Sequence, residues 1–382
     1  MRHNQFVRPP ASLQARAAAL LVDVLGLTPH GSRLPANLLA RVLLWVGLTR
    51  ATFTAAAARL RLGVSDTTLR LALKAHLPNS DETLSRLIRV SLDAKTLKWL
   101  RKRKKGLVLA VDLQLQPYYG RSRDGVVKGQ AKQGTKRFWA LATISVVRGG
   151  QPLTLAFAPV QSNRMEEALA ALWPQLEALG CRCRRLLLDR GFYGAPVVRW
   201  LQNRHIPFLM PMIRRGKPPR RGRAGTGTAP FFARGRRGFA RHTWRQRRRG
   251  ETVDVGVVMV PPKDRRRRPL VFIYEGRLPN LGHARDVYRK RFGIETTYRV
   301  SHRTRGWTTS GDQRWRRLLQ VLSFILENLW IQLACPSRPT GRRRYAISCE
   351  AFIETLLRKL DLTPSDPLED KRLMRRCQTS IY

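Results

Sequence analysis

Through the first hundred positions apolar residues recur at three- and four-residue spacing. The windows Ser12–Leu25, Pro35–Leu48, Phe53–Leu62, Asp66–Leu77 and Asp81–Leu100 each carry such a stripe, which predicts a helical domain over residues 1–104. Inside it, the run from Ala56 to Arg70 has the form of a helix-turn-helix spanning 53–77. Gly63 stands where the chain must turn, and Ser65 or Asp66 can cap the second helix. That helix would offer Thr67, Thr68, Arg70 and Lys74 to DNA, although a plain helical hairpin has the same pattern. The charge run Arg101–Lys105 closes this region.

After it the period shortens. Leu107–Leu115 reads as a strand in which Asp112 alone interrupts an apolar run. Burying that carboxylate costs several kcal/mol unless a metal, a donor or a cation meets it. Phe138–Val147 and Pro152–Val160 read as two further strands joined in a hairpin through Arg148–Gln151. A helix over Asn163–Leu179 follows. Leu186–Leu188 then form a strand covered on both faces that ends in Asp189, with Gly191 allowing a tight exit to a helix over Ala195–Arg204 and a short strand over Pro207–Met210. Asp189 could equally be a simple helix cap. This order of elements is that of an RNase H-like core, a mixed α/β sheet flanked by helices. In that architecture the first and fourth strands are neighbours, so Asp112 and Asp189 would lie side by side.

Between residues 213 and 276 the composition changes. Arg214–Gly250 holds fourteen Lys or Arg and no acid, with Phe231, Phe232, Phe239 and Trp244 interleaved. Thr252–Val260 and Leu270–Tyr274 alternate like strands. Together they predict a basic, β-rich insertion whose loops track phosphates while its aromatics stack on bases, a disordered basic linker being the alternative. Ala284–His302 then reads as one helix that places Tyr288, Arg291, Glu295, Arg299 and His302 on a single face, with Asp286 nearly opposite.

The charge balance agrees with a polyanionic partner. Against 73 Lys and Arg stand 25 Asp and Glu, a formal net charge of +48, which makes nucleic acid the expected partner. No apolar run is long enough to span a bilayer, and no membrane partner is expected. The five cysteines indicate neither a zinc site nor a disulfide framework. No secretory segment opens the chain, so a cytoplasmic, DNA-associated location is expected.

Asp112 in a first strand, Asp189-Arg190-Gly191-Phe192 after a later one, and Tyr288-x2-Arg291-x3-Glu295 on a helix together resemble the DDE transposases of prokaryotic insertion sequences. The branch with the signature Y-x2-R-x3-E-x6-K is the most similar, over roughly residues 105–335. At the final Lys position this chain has His302, with Arg299 and Arg303 near in sequence. The resemblance implies that Asp112, Asp189 and Glu295 are catalytic and hold two Mg²⁺ or Mn²⁺ ions. It implies that Tyr288, Arg291 and Arg299 or His302 grip phosphates near the cleaved bond, that Arg190 and Arg303 also bind DNA, and that Trp244 could stack on a flipped base. It further implies cleavage at element ends, strand transfer into target DNA, terminal inverted repeats and target duplex as partners, and a homodimer on those ends. The implied organisation is a helical DNA-binding domain at 1–104, a catalytic core at 105–212 and 277–335, the insertion at 213–276, and a basic helical tail at 336–382. A metal-dependent RNase H-like nuclease and a non-catalytic DNA-binding descendant of a transposase remain the alternatives.

Overall fold

A computed structural model describes residues 10–121, 125–147, 152–221, 223–245, 252–262, 264, 267–292, 298, 301–334 and 347–360. The chain divides into two compact units, one of residues 1–96 with 297–382 and the other of residues 97–296.

The first unit is helical among its described residues. Its helices are α1 (Pro10–Leu25), α2 (Ala36–Thr49), α3 (Phe53–Arg59), α4 (Asp66–Lys74) and α5 (Asp81–Ser91), and from the far end of the chain α10 (Gln313–Ala334) and α11 (Cys349–Lys359). Their starts are written in the sequence. Thr52, Ser65, Ser80 and Ser348 each accept a hydrogen bond from the backbone N–H three residues on, which satisfies an otherwise orphaned donor. Ser65 is thus the cap of α4, and Gly63 takes the left-handed turn before it at φ 65°. Leu39, Leu43 and Leu44 of α2 and Leu318, Leu322 and Phe324 of α10 are buried, which places both helices in the core. A side-chain network ties α10 to the end of α5: Gln332 Nε2 donates to Ser91 O, and Gln332 Oε1 accepts from Asp93 N.

That network explains a break. The helix expected over Asp81–Leu100 is two helices, α5 and α6 (Ala94–Arg101), because Leu92 is extended and Asp93 caps α6 through Oδ1 and Thr96 N at 2.7 Å.

The second unit is built on one mixed sheet. Its strands are β1 (Leu107–Pro117), β2 (Val126–Lys132), β3 (Thr135–Val146), β4 (Leu153–Pro159), β5 (Cys183–Leu187), β6 (Phe208–Pro211), β7 (Gly238–Arg245), β8 (Thr252–Val260) and β9 (Leu270–Tyr274). Spatial order runs β2-β3-β1-β5-β6-β9-β8-β7, with β4 also paired to β3. β2 and β4 share one edge of β3, β2 pairing with residues 135 and 137–139 and β4 with residues 141–146. The series β4-β3-β1-β5-β6, with β1, β5 and β6 parallel and β3 antiparallel, is the RNase H-like arrangement. Helices α7 (Met165–Ala178), α8 (Ala195–Asn203) and α9 (Leu281–Arg289) accompany it. Leu186, Leu187 and Leu188 are fully buried, as a strand covered on both faces requires.

Two strands were not visible in the hydrophobic pattern. β2 is exposed from Lys128 onward, and β7 carries Arg241, His242, Thr243 and Arg245. Both are held by their partners' backbones instead. β7 pairs along its whole length with β8, and β8 and β9 join it to β6, so the basic segment extends the core sheet. The hairpin expected at Arg148–Gln151 lies outside the described residues.

Candidate active site

The register between β1 and β5 sets the site. Leu109 faces Leu186 and Ala110 faces Leu187 in parallel pairing, and the same offset continued two residues brings Asp112 level with Asp189. Neighbouring strands lie about 4.8 Å apart, so the two acidic residues stand level on adjacent strands, Asp112 midway along β1 and Asp189 just past the carboxyl end of β5. Binding sites form at that end of open α/β sheets.

The two acids are held differently. Asp112 is 7% exposed, and its Oδ2 accepts from Arg291 Nη1 at 3.1 Å, while Arg291 is itself 8% exposed. Asp112 Oδ1 accepts from Leu113 N at 2.9 Å. The cation meets the buried charge that the sequence left to be explained. Asp189 is half-buried beyond the end of β5 and accepts through Oδ1 from Gly191 N at 2.8 Å, as the cap of the short 3-10 turn Arg190–Phe192. A Cβ at Gly191 would lie 3.0 Å from that same oxygen. Its φ is not in the left-handed region, so what glycine provides here is room: a larger residue would make the Asp189 carboxylate give by a few tenths of an ångström. Arg190 is exposed.

Tyr288 and Arg291 come from α9 and the turn after it. α9 is capped by Asn280 Oδ1, which accepts from His283 N. It ends at Arg289, with Lys290 and Arg291 in i to i−3 hydrogen bonds to Val287 and Tyr288. The uninterrupted helix expected over Ala284–His302 is thus broken at 290–291, and the last turn tightens where Arg291 enters the buried pair with Asp112. The Tyr288 hydroxyl donates to Leu188 O at 3.3 Å, and its ring packs on Phe272 with centroids 4.9 Å apart. Burial pushes the phenol up to about 12 against the pull of Arg291. Asp286 is exposed on the other side of α9, beside Arg285.

Glu295 and Arg299 lie outside the described residues. His302 and Arg303 belong to the helical unit, where both are exposed and Arg303 is engaged by Glu350. Arg70 and Lys74 are on α4, exposed, with Arg70 paired to Asp66 at 3.2 Å. Trp244 on β7 stacks against Tyr193, four residues after Asp189, with ring centroids 4.6 Å apart, and Arg215 lies 5.7 Å from the Tyr193 ring.

Two nearby residues escaped the reading of the sequence. Tyr193 is buried, and it joins the acid-bearing loop to the basic strand. Gln114 is buried with both amide atoms lacking a hydrogen-bond partner among the described residues. It follows Asp112 by two positions, and β1 and β3 pair without a bulge there, so the two side chains leave the same face of β1. The strand period was the available signal.

Paired carboxylates with hard oxygen donors, level with one another on adjacent strands, suit a hard divalent cation such as Mg²⁺. Among the described residues no group of three metal-binding side chains occurs, and the third expected ligand is Glu295.

A family model described as the transposase DDE domain matches residues 89–326. None of the curated proteins matches the chain. Among solved structures it is similar to the piggyBac transposase synaptic complex with hairpin DNA, at 12% identity and a TM-score of 0.48, covering 98% of this chain and 78% of that one. A likeness that slight carries no argument. Among the described residues no single helix is long and apolar enough to cross a membrane.

Proposed function

The chain belongs to the transposase DDE-domain family and is a DNA transposase, and from that premise we propose that Asp112, Asp189 and Glu295 are its catalytic carboxylates. The observation that carries the reading is the β1/β5 register, Ala110 opposite Leu187, whose continuation by two residues sets Asp112 level with Asp189. Members of this family act on DNA with divalent metal ions. In this reading the three acids hold two Mg²⁺ or Mn²⁺ ions, which would supply charge neutralisation at the attacked phosphate and a lowered pKa for the attacking hydroxyl.

The chain's own residues position that chemistry. Arg291 fixes the Asp112 carboxylate, Gly191 N–H fixes Asp189, and Tyr288 holds the strand end through Leu188 O. Arg190, beside Asp189 and exposed, is placed to meet a phosphate. Tyr288 is no nucleophile in this scheme: its phenol is buried, and its hydroxyl is engaged in donating to Leu188 O. The substrate is the duplex at the ends of a prokaryotic insertion sequence, cut and then joined to target DNA by a homodimer bound to those ends, in the cytoplasm. One of His302, Arg299 and Arg303 takes the role of the signature lysine. The organisation proposed is a DNA-reading helical unit made of residues 1–96 with 297–382, and a catalytic unit of residues 97–296 that includes the basic segment at 213–276.

Incubation of the full chain with DNA bearing its element's ends and Mg²⁺, followed by sequencing of the products, tests this. Asp112→Asn, Asp189→Asn and Glu295→Gln should each retain end binding while cleavage falls by about three orders of magnitude or more, and double variants should add little. Asp286→Asn should cleave normally. Cleavage that survives Glu295→Gln but is lost in Asp286→Asn would remove Glu295 from the site. Cleavage without joining of pre-cut ends would favour a nuclease.

A further inference from the structure

The helical unit holds a group of cations that the proposed chemistry does not use. Arg305 is at its centre. Its Nη1 donates to Gln320 Oε1 at 3.2 Å, and its guanidinium lies 5.9 Å from the ring centroid of Trp307. Burial first, and then the charges of Arg50 and Arg316, bring its pKa down to about 10.

Backbone geometry fixes this grouping. Trp307 N donates to Ala51 O at 3.0 Å, so residues 305–307 run along the end of α2, where Arg50 sits at φ 56°. A Cβ at Gly306 would come within 2.5 Å of Val46 Cγ1, a closeness that only glycine permits. On the other side, Arg316 and Gln320 are one turn apart on α10 and share a face. The hold of Gln320 on Arg305 therefore brings that guanidinium to the face that carries Arg316. Arg316 Nε donates to Ser310 O at 3.2 Å.

Three guanidiniums thus gather around the Arg305 position. Neither Arg50 nor Arg305 has an ion-pair partner among the described residues. The carboxylate in this stretch, Asp312, is held by Arg314 through contacts of 2.7 and 3.1 Å. Like charges gathered this way repel, and an anion seated between them relieves the repulsion. Guanidinium forks match phosphate oxygens. Trp307, beside them, is 42% exposed, and an open indole next to Arg suits the flat face of a nucleotide.

We propose that Arg50, Arg305 and Arg316 with Trp307 form a DNA-backbone site in the helical unit, separate from the acid edge of the sheet. Phosphate oxygens sit between the guanidiniums, and the Trp307 ring lies against the adjoining sugar or base. The identity of the polyanion rests on the DNA-transposase reading; the site does not require the catalytic assignment.

The test is binding of a labelled duplex by the full chain in EDTA over a series of salt concentrations. Arg50→Asn with Arg316→Gln removes two charges, and Asn tolerates the left-handed conformation at position 50. Each phosphate contact contributes about 0.9 to the slope of log K against log salt, so the slope should flatten by about 1.8, a loss of roughly 60-fold at 0.1 M salt. Lys at both positions should keep the slope even where affinity drops. Trp307→Phe, a conservative change at a ring 42% exposed, should remove a DNA-induced change in tryptophan fluorescence. An unchanged slope in the neutral pair, or an identical fluorescence response in Trp307→Phe, would overturn the proposal. Because nothing is cut in EDTA, an error in the catalytic acids would leave this result untouched.

Discussion

The neighbouring strands β1 and β5 bring one acid each to the same level of the sheet, yet they support those acids in opposite ways. Asp112 is inside its strand, buried, and its charge is met by the Arg291 guanidinium. Asp189 is just beyond its strand, half-buried, and is met by a backbone N–H at a turn. A buried charge needs a counter-charge, because removing it from water costs several kcal/mol that backbone dipoles at one strand position do not return. A carboxylate at a turn keeps part of its hydration and needs only orientation. The pair teaches that equal placement does not mean equal dependence on the surrounding fold.

Thermal unfolding should separate the two acids most strongly. Asp112→Asn leaves Arg291 buried beside a neutral amide, and breaking such a pair costs about 3 kcal/mol or more, a fall in Tm on the order of 10 °C for a unit of this size. Asp189→Asn keeps an oxygen to accept from Gly191 N, so its Tm should move by about 2 °C or less. Both should lose cleavage alike. Equal melting shifts in the two variants would show that the Arg291 contact contributes nothing to stability.

The same contrast shows what could be read from the residues and what could not. Burial writes a pattern, so the leucines before Asp189 and the apolar run around Asp112 announced their strands, and Ser65 announced the start of α4. β2 and β7 face solvent with Lys, Arg and Gly, and only their partner strands' hydrogen bonds make them strands. The break at Leu92–Asp93 depends on Gln332, 239 positions from Asp93, and no local signal carries that. Likewise the end of α9 before Arg291 accompanies a contact to a strand far away in sequence, which helical spacing cannot foresee.

A smaller effect should come from the turn that holds Asp189. In Gly191→Ala the added Cβ would stand 3.0 Å from Asp189 Oδ1, which forces the carboxylate to rotate by a few tenths of an ångström. Misplacement of that order is costly in catalysis and cheap in stability. Cleavage of element ends should drop by about tenfold with Tm nearly unchanged, whereas a mutation that perturbs the Asp112 side would lower both. If Gly191→Ala cleaves at the wild-type rate, the Gly191 contact is a turn device with no part in aiming the acid.

The smallest expected effect tests whether the basic strand supports the Asp189 side at all. Trp244 packs on Tyr193 with the rings 31° from parallel, and Tyr193 sits in the loop that starts at Asp189. An aromatic pair of this kind contributes about 1 kcal/mol beyond the area it buries. Trp244→Ala should therefore lower stability by roughly 1 to 2 kcal/mol and slow cleavage several-fold by loosening the loop, while Trp244→Phe retains the stack and most of the rate. A base-stacking role makes a different forecast. It predicts that Trp244→Ala weakens binding of DNA with unpaired ends more than it changes Tm, and that Phe only partly restores that binding. Melting and end-binding measured on the same two variants distinguish a strut for Asp189 from a platform for DNA, because only the strut couples the loss of rate to the loss of stability.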